Sequence, residues 1–380
     1  MSNQRNYAHP QAALPFWLSL GLLPLAWLGA VYGGWTVVLL PVYAWVTISL
    51  MDAALGLEPN NADTDTPEAD LFWHRLITMI WLPIQILVIY AMIWWVTHTD
   101  HLALWEKFAL FFGVGVISGS VGIVYSHELM HQKNRLERWL GDLLLATVLY
   151  SHFRSEHLLV HHRYVGTPRD AVSARYNEGF HGFFLRVLWA GPQSAWRAER
   201  QLLARAGRGA SHPRNPFWRY GALQITGLLA AYGLGGGAGL GFFVFQALVA
   251  VWQLELVNYV EHYGLSREYL GEGKYEAVLP RHSWNATHKA SNWFLINLQR
   301  HSDHHYKPDR RFPLLQTYPA DEAPHLPYGY SVMTTCALVP PLWRRIMNRR
   351  VRAWRKEFYP KITDWTAYDQ GDLPMPKGAS

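Results

Sequence analysis

The sequence predicts an all-α integral membrane protein, with six transmembrane helices under a histidine-rich cytoplasmic cap. Three observations predict it. Half of the 380 residues are apolar and only 16% are charged, where soluble domains carry about a quarter. The apolar residues are gathered into six long stretches. The 19 histidines, one residue in twenty, include clusters close to the ends of those stretches. The 19 Trp, 20 Tyr and 16 Phe exclude a disordered or low-complexity chain. Cys336 is the only cysteine, so a disulfide scaffold and an internal iron–sulfur or rubredoxin-type centre are excluded too.

The spans are read at 15–32, 35–55, 76–96, 104–125, 217–234 and 240–259. Each approaches the roughly 20 residues that cross a hydrocarbon core of about 30 Å. Stretches such as LITMIWLPIQILVIYAMIWWV (76–96) have no polar face, which separates them from amphipathic helices of a soluble core. Residues 127–215 hold 13 Lys plus Arg and residues 259–380 hold 17, together 30 of the 34. The connections 33–34, 97–101 and 235–239 hold none. By the positive-inside rule, both long polar segments and both termini face the cytoplasm, as an even span count requires. Residues 56–73 are acidic but belong to the same side, since acidic residues weigh little in that rule. No internal repeat or linker divides the chain, so residues 1–380 read as one domain. The net charge of +6 follows from this topology and does not imply nucleic acid. WRRIMNRRVRAWRKEF (343–358) reads as a basic surface helix, suited to membrane anchoring or to a partner.

The chemistry begins where the fourth span ends. SHELMHQKNRLERWLG places His127 and His131 four apart, on one face of a helix. EHLLVHHRYVGTPRD adds His157, His161 and His162; NYVEHYGL adds His262; LQRHSDHHYKPDRR adds His301, His304 and His305. At this histidine content an isolated pair four apart is expected about once by chance, whereas HxxxHH together with HxxHH is expected in only a few chains per thousand. One zinc takes three or four protein ligands, so nine imidazoles point to two ions. Glu128, Glu156, Glu261 and Asp303 each adjoin a cluster and are candidates for orienting the imidazoles and offsetting charge. His282 and His288, just ahead of the last cluster, stay open. HELMH also matches the HExxH signature of zinc metalloproteases, a rival of a different class that leaves seven histidines without a role. A metal carrier or sensor without catalysis is a third reading.

These boxes resemble those of the membrane-bound alkane monooxygenases, within the wider group of integral-membrane desaturases and hydroxylases. The resemblance runs from the apolar N-terminal half through HSWNATHK (282–289) to APHLPYGY (323–330), and NYVEHYGL and LQRHSDHH are its specific part. It implies a di-iron centre held by His127, His131, His157, His161, His162, His262, His301, His304 and His305. It also implies terminal hydroxylation of medium- or long-chain n-alkanes with dioxygen. Electrons would come from rubredoxin, reduced by a flavin-dependent reductase using NAD(P)H. Val160 stands where the family usually has glycine, Leu158 and Leu159 are more apolar than usual, and Ala171 stands where proline is common. These departures bear on substrate more than on metal, so an arene-methyl hydroxylase and a fatty-acyl desaturase remain alternatives. Rubredoxins are acidic, which makes Arg300, Lys307, Arg310 and Arg311 candidates for docking one. Gly113, Gly115, Gly119 and Gly122 in the fourth span either leave room for a hydrocarbon or serve close helix packing through GxxxG.

Overall fold

The computed structural model describes residues 6–378. Among them the only sheet is a hairpin of Tyr269–Gly271 with Lys274–Tyr275; helices build the rest. Four helical runs come first: α1 (Pro10–Tyr32), α2 (Gly34–Leu55), α3 (Glu68–His98) and α4 (Leu104–His131). After them come α5 (Arg135–Ala146), α6 (153–164), α7 (Phe180–Arg205) and the long α8 (Pro216–His262). The C-terminal part adds α9 (Lys289–Phe294), α10 (His301–Tyr306), α11 (Tyr330–Ala337) and α12 (Pro340–Phe358).

Five of these runs, α1 to α4 and α8, are long and apolar enough to cross a bilayer. The expectation from sequence was six spans, and the difference lies inside α8. Gly235 (φ −141°, ψ 15°) and Gly236 (φ 57°, ψ −146°) leave helical geometry there. The chain reverses at this point. A Cβ on Gly227 would lie 3.2 Å from the Phe243 ring, and one on Gly239 would lie 2.5 Å from the Ala231 carbonyl oxygen. In a straight helix residues 227 and 243 would stand about 24 Å apart. α8 is therefore two antiparallel apolar limbs, and only glycine tolerates the positive φ at its bend.

α4 is the axis of the bundle, with 83% of its apolar window buried. Its glycines are packing sites. A Cβ on Gly115 would meet Val249 at 2.5 Å and one on Gly119 would meet the Ala250 carbonyl at 2.8 Å, both on the second limb of α8. One on Gly122 would overlap Gln85 of α3. Small residues let the helix backbones approach where lipid supplies no hydrophobic drive. On the outside, Trp27, Tyr32, Trp35, Trp94 and Trp105 are exposed around the 33–34 and 97–101 connections, while Trp139, Trp189 and Trp218 are exposed elsewhere on the chain. Exposed apolar helices with aromatic side chains near their ends are what lipid selects, and the chain is a membrane protein.

The cap over α4 and α8 is tied by buried polar contacts. Glu137 on α5 accepts from Arg75 Nη2 (2.6 Å) on α3 and from Arg311 Nη1 (2.7 Å) beyond α10. The acidic segment 56–67 lies against the last histidine cluster, where the carbonyls of Glu58 and Asn60 accept from Arg300 Nη2 at 3.1 and 3.0 Å. α12 buries Trp343, Met347, Val351 and Trp354 and exposes Arg345, Arg349, Arg352 and Lys356.

Candidate metal centre

The helices run further than their apolar stretches, and this delivers the histidines. α4 continues through HELMH, and the second limb of α8 continues through His262. Residues one α-turn apart share a face, so His127 with His131 and His301 with His305 point the same way. α6 behaves differently. His157–His161 is a π-helical turn, a widening that often accompanies functional sites. There the ring of His162, five residues on, reaches His157, with Nε2 atoms 2.9 Å apart, while His161 is turned aside.

Two groups result. His127, His131, His157, His162 and His304 form one; His161, His262, His301 and His305 form the other; within each, the candidate ligand atoms lie within 4.8 Å of one another. In the first, His157 Nε2 lies 2.9 Å from His127 Nε2 and 3.0 Å from His131 Nε2, and His304 lies 3.1 Å from His162. In the second, His305 lies 3.2 Å from His161 and 3.1 Å from His301, and His262 lies 3.1 Å from His301. A ring nitrogen carries at most one proton, so hydrogen bonding cannot satisfy three nitrogens crowded around His157. A shared cation does. With bonds of about 2.1 Å, spacings near 3 Å correspond to right angles at the ion, and five ligands exceed the four of tetrahedral zinc. Burial, reinforced by neighbouring imidazoles, pushes His157, His162, His301, His304 and His305 well below the usual histidine value, so each offers a neutral lone pair.

The outer ring nitrogens show which acids support the set. His301 Nδ1 lies 3.2 Å from Glu261, and His262 Nδ1 lies 3.3 Å from the His282 carbonyl. Asp303 instead takes two bonds from Arg310 Nη1 (2.7 and 2.6 Å) and one from Tyr318 (2.8 Å), holding the loop after α10. Glu128 accepts from Gln132 at 3.0 Å and meets no histidine. Glu156 is buried with both oxygens unpartnered, and burial pushes its carboxyl well above the carboxylate range. The residue that sequence reasoning missed is Asp170, 3.0 Å from His161 Nδ1. It sits nine residues past its histidine on a loop, where helical spacing gives no signal. His282 bonds Glu276 (3.1 Å) and Tyr359 (2.8 Å), and neither it nor His288 joins a group.

The docking candidates need correction. Arg300 is buried, bonded to the Glu58, Asn60 and Leu315 carbonyls; Arg311 is buried against Glu137 and Glu68; Arg310 is spent on Asp303. Only Lys307 is exposed. Long-range carboxylates and carbonyls, invisible in the local sequence, claim the other three.

A narrow apolar cavity of about 30 Å³ lies between α2, α4, the second limb of α8, α9 and α11. Ala44, Gly119, Val124, Val257, Leu298 and Thr334 line it among others. Val124 precedes His127 by one turn and Val257 precedes His262 by somewhat more than one, so the cavity is lined by the same helices that carry histidines of both groups.

Membrane helices and two converging imidazole sets define an integral-membrane protein whose histidines could hold metal. A family model for fatty acid desaturases matches residues 102–337. Alkane 1-monooxygenase 2 of Pseudomonas aeruginosa is 37% identical over 92% of this chain and 91% of its own length. Alkane 1-monooxygenase of Acinetobacter baylyi is 34% identical over 84% and 80%. The xylene/toluene monooxygenase hydroxylase component of Pseudomonas putida is more distant, at 26% over 89% and 86%. The chain belongs to the fatty acid desaturase family and, within it, to the alkane 1-monooxygenases, and it is an oxidoreductase.

Proposed function

We propose that this enzyme hydroxylates the terminal carbon of medium- or long-chain n-alkanes at two irons held by the nine histidines. The balance is R–CH3 + O2 + 2e⁻ + 2H⁺ → R–CH2OH + H2O. Rubredoxin, reduced by a flavin-dependent reductase with NAD(P)H, supplies the electrons, and the cap faces the cytoplasm of a bacterial inner membrane. The observation that carries the reading is the convergence of nine imidazoles into two groups, each with its candidate ligand atoms within 4.8 Å of one another. Bound iron would supply activation of dioxygen, which side-chain acids and bases cannot perform on an unactivated C–H bond.

The chain's own part is positioning. An alkane has no polar handle, so shape alone must place its terminal methyl toward the histidines. Val124, Val257 and Leu298 give the pocket apolar walls, and Gly119 lets α4 close against Ala250 of α8 beside it. Asp170 holds His161 with its Nε2 inward, and Glu261 stands 3.2 Å from the outer nitrogen of His301. The endopeptidase alternative loses its support, because His127 and His131 share their group with three more histidines and Glu128 is tied to Gln132.

The test is whole-cell feeding of graded n-alkanes under labelled dioxygen, with metal analysis of the purified chain. A 1-alkanol carrying one label and two irons per chain support the reading. An unlabelled alkene would make it a desaturase, and oxidation of methylarenes in preference to alkanes would make it an arene-methyl hydroxylase.

A further inference from the structure

We propose that the electron donor, a small acidic one-electron carrier protein, docks in the cleft between the 166–175 loop and α7, on Arg169, Arg197 and Arg200. This rests on the oxygenase reading above, which requires two electrons from outside the chain.

Two polar clefts flank the histidine groups, and charge separates them. The first is lined by Glu68, Arg75, Lys133, Asp309, Arg310 and Arg311, among others. Its cations are largely neutralised: Arg75 and Arg311 by Glu137 and Glu68, Lys133 by Asp309 at 3.3 Å, Arg310 by Asp303 at 2.6 Å. The second cleft is different. Among the described residues, Arg169, Arg197 and Arg200 of its lining make no ion pair. Arg169 Nη1 bonds only the Ser194 hydroxyl at 2.9 Å, and its Nε reaches no acceptor. Arg197 is close enough to act on Arg169 as a like charge. Among the described residues, the one carboxylate in the lining, Asp170, is buried and committed to His161. Three guanidinium groups line this cleft, none of them in an ion pair among the described residues, and they make a surface that attracts an acidic partner and orients it.

The floor of this cleft favours a redox protein over a lipid headgroup. From Asp170 a single hydrogen bond of 3.0 Å leads to His161, whose Nε2 belongs to the second histidine group. A carrier seated on the arginines therefore stands over a short covalent and hydrogen-bonded route to the metal ligands. Each docking event oxidises one carrier by one electron, so two events accompany each dioxygen consumed.

The test uses the full-length enzyme in detergent with oxidised rubredoxin as probe, and affinity measured by microscale thermophoresis at several salt concentrations. The Arg197→Glu/Arg200→Glu variant should bind rubredoxin at least about tenfold more weakly, with a flatter salt dependence. Lys307→Glu, in the neutralised cleft, should change affinity less than about threefold. Hydroxylation driven by dithionite should be unchanged in the double variant. Undiminished rubredoxin affinity in the double variant overturns the proposal, and if that variant instead loses co-purifying anionic phospholipid, the cleft is a headgroup site. If the wild-type enzyme forms alcohol with dithionite but binds no rubredoxin, the donor assignment fails while the oxygenase reading stands; if it forms no alcohol with either reductant, the oxygenase reading itself fails.

Discussion

Asp170 holds His161 by its outer nitrogen, at 3.0 Å, and is itself fixed by the Ser173 hydroxyl at 2.7 Å and the Val172 amide at 3.0 Å. Burial alone would raise this carboxyl, but His161 and these hydrogen bonds keep it below its ordinary range. The anion therefore accepts the Nδ1 proton and leaves the Nε2 lone pair facing the second histidine group. Removing such a partner costs metal sites about 10- to 100-fold in affinity. Asp170→Ala should weaken one of the two ions by that much in chelator competition, leaving the other in place. Unchanged retention of both would show that the loop only covers the site.

The sorting of histidines into groups of five and four makes a stoichiometric prediction. His262→Ala removes a ligand from the second group alone, and His127→Ala from the first alone. Each variant should fall from two metal ions per chain toward one, measured by elemental analysis. A single shared ion would instead be lost entirely in both.

The pocket predicts chain-length control. Thr334 lines it on α11, and no residue of the lining is charged. Thr334→Trp adds bulk that shortens the usable depth, and overfilled pockets discriminate by about 1–3 kcal/mol per methylene. Longer alkanes should lose turnover about tenfold or more relative to shorter ones, with metal content unaltered. An identical product profile would mean the hydrocarbon lies elsewhere.

Parts of this site were legible in the sequence for a plain reason: their geometry is local. His127 and His131 sit four apart on a regular helix, and the glycines of 235–239 mark a reversal whatever surrounds them. The division of His157, His161 and His162 between groups was not legible, because a π-helical turn changes which residues share a face. Asp170 was missed and Arg300 and Arg311 were misjudged for a common reason. Their partners are set by tertiary contacts, some more than 170 residues away in the chain, that no spacing rule encodes.

The buried imidazoles also fix an acid limit. Burial holds His157, His162, His301, His304 and His305 well below the ordinary value of 6.5, so they are neutral in the folded chain at pH 7. Above 6.5 neither folded nor unfolded chain binds these protons, and stability is complete. Below it the unfolded chain is protonated first, so stability and metal are lost progressively as pH falls toward the depressed folded values. Thermal unfolding and metal content between pH 7.5 and 5.5 should decline together. A flat profile over that window would show that these imidazoles do not govern folding.

Glu137 is the hinge of the cap's polar core. It is fully buried, with one oxygen accepting from Arg75 at 2.6 Å and the other from Arg311 at 2.7 Å, so a single carboxylate joins α3, α5 and the loop after α10. Glu137→Gln keeps the shape but leaves Arg311, only 10% exposed, without its main counter-charge. Breaking a buried pair by removing one partner costs about 3–5 kcal/mol, because the remaining charge stays desolvated. Thermal unfolding should shift down by several degrees, and metal retention at the adjoining His304 group should weaken with it. Since Arg311 acts through the same carboxylate, Glu137→Gln/Arg311→Met should be less damaging than the two single costs added together. Strict additivity would mean the two residues stabilise the cap independently, against the geometry that places them in contact.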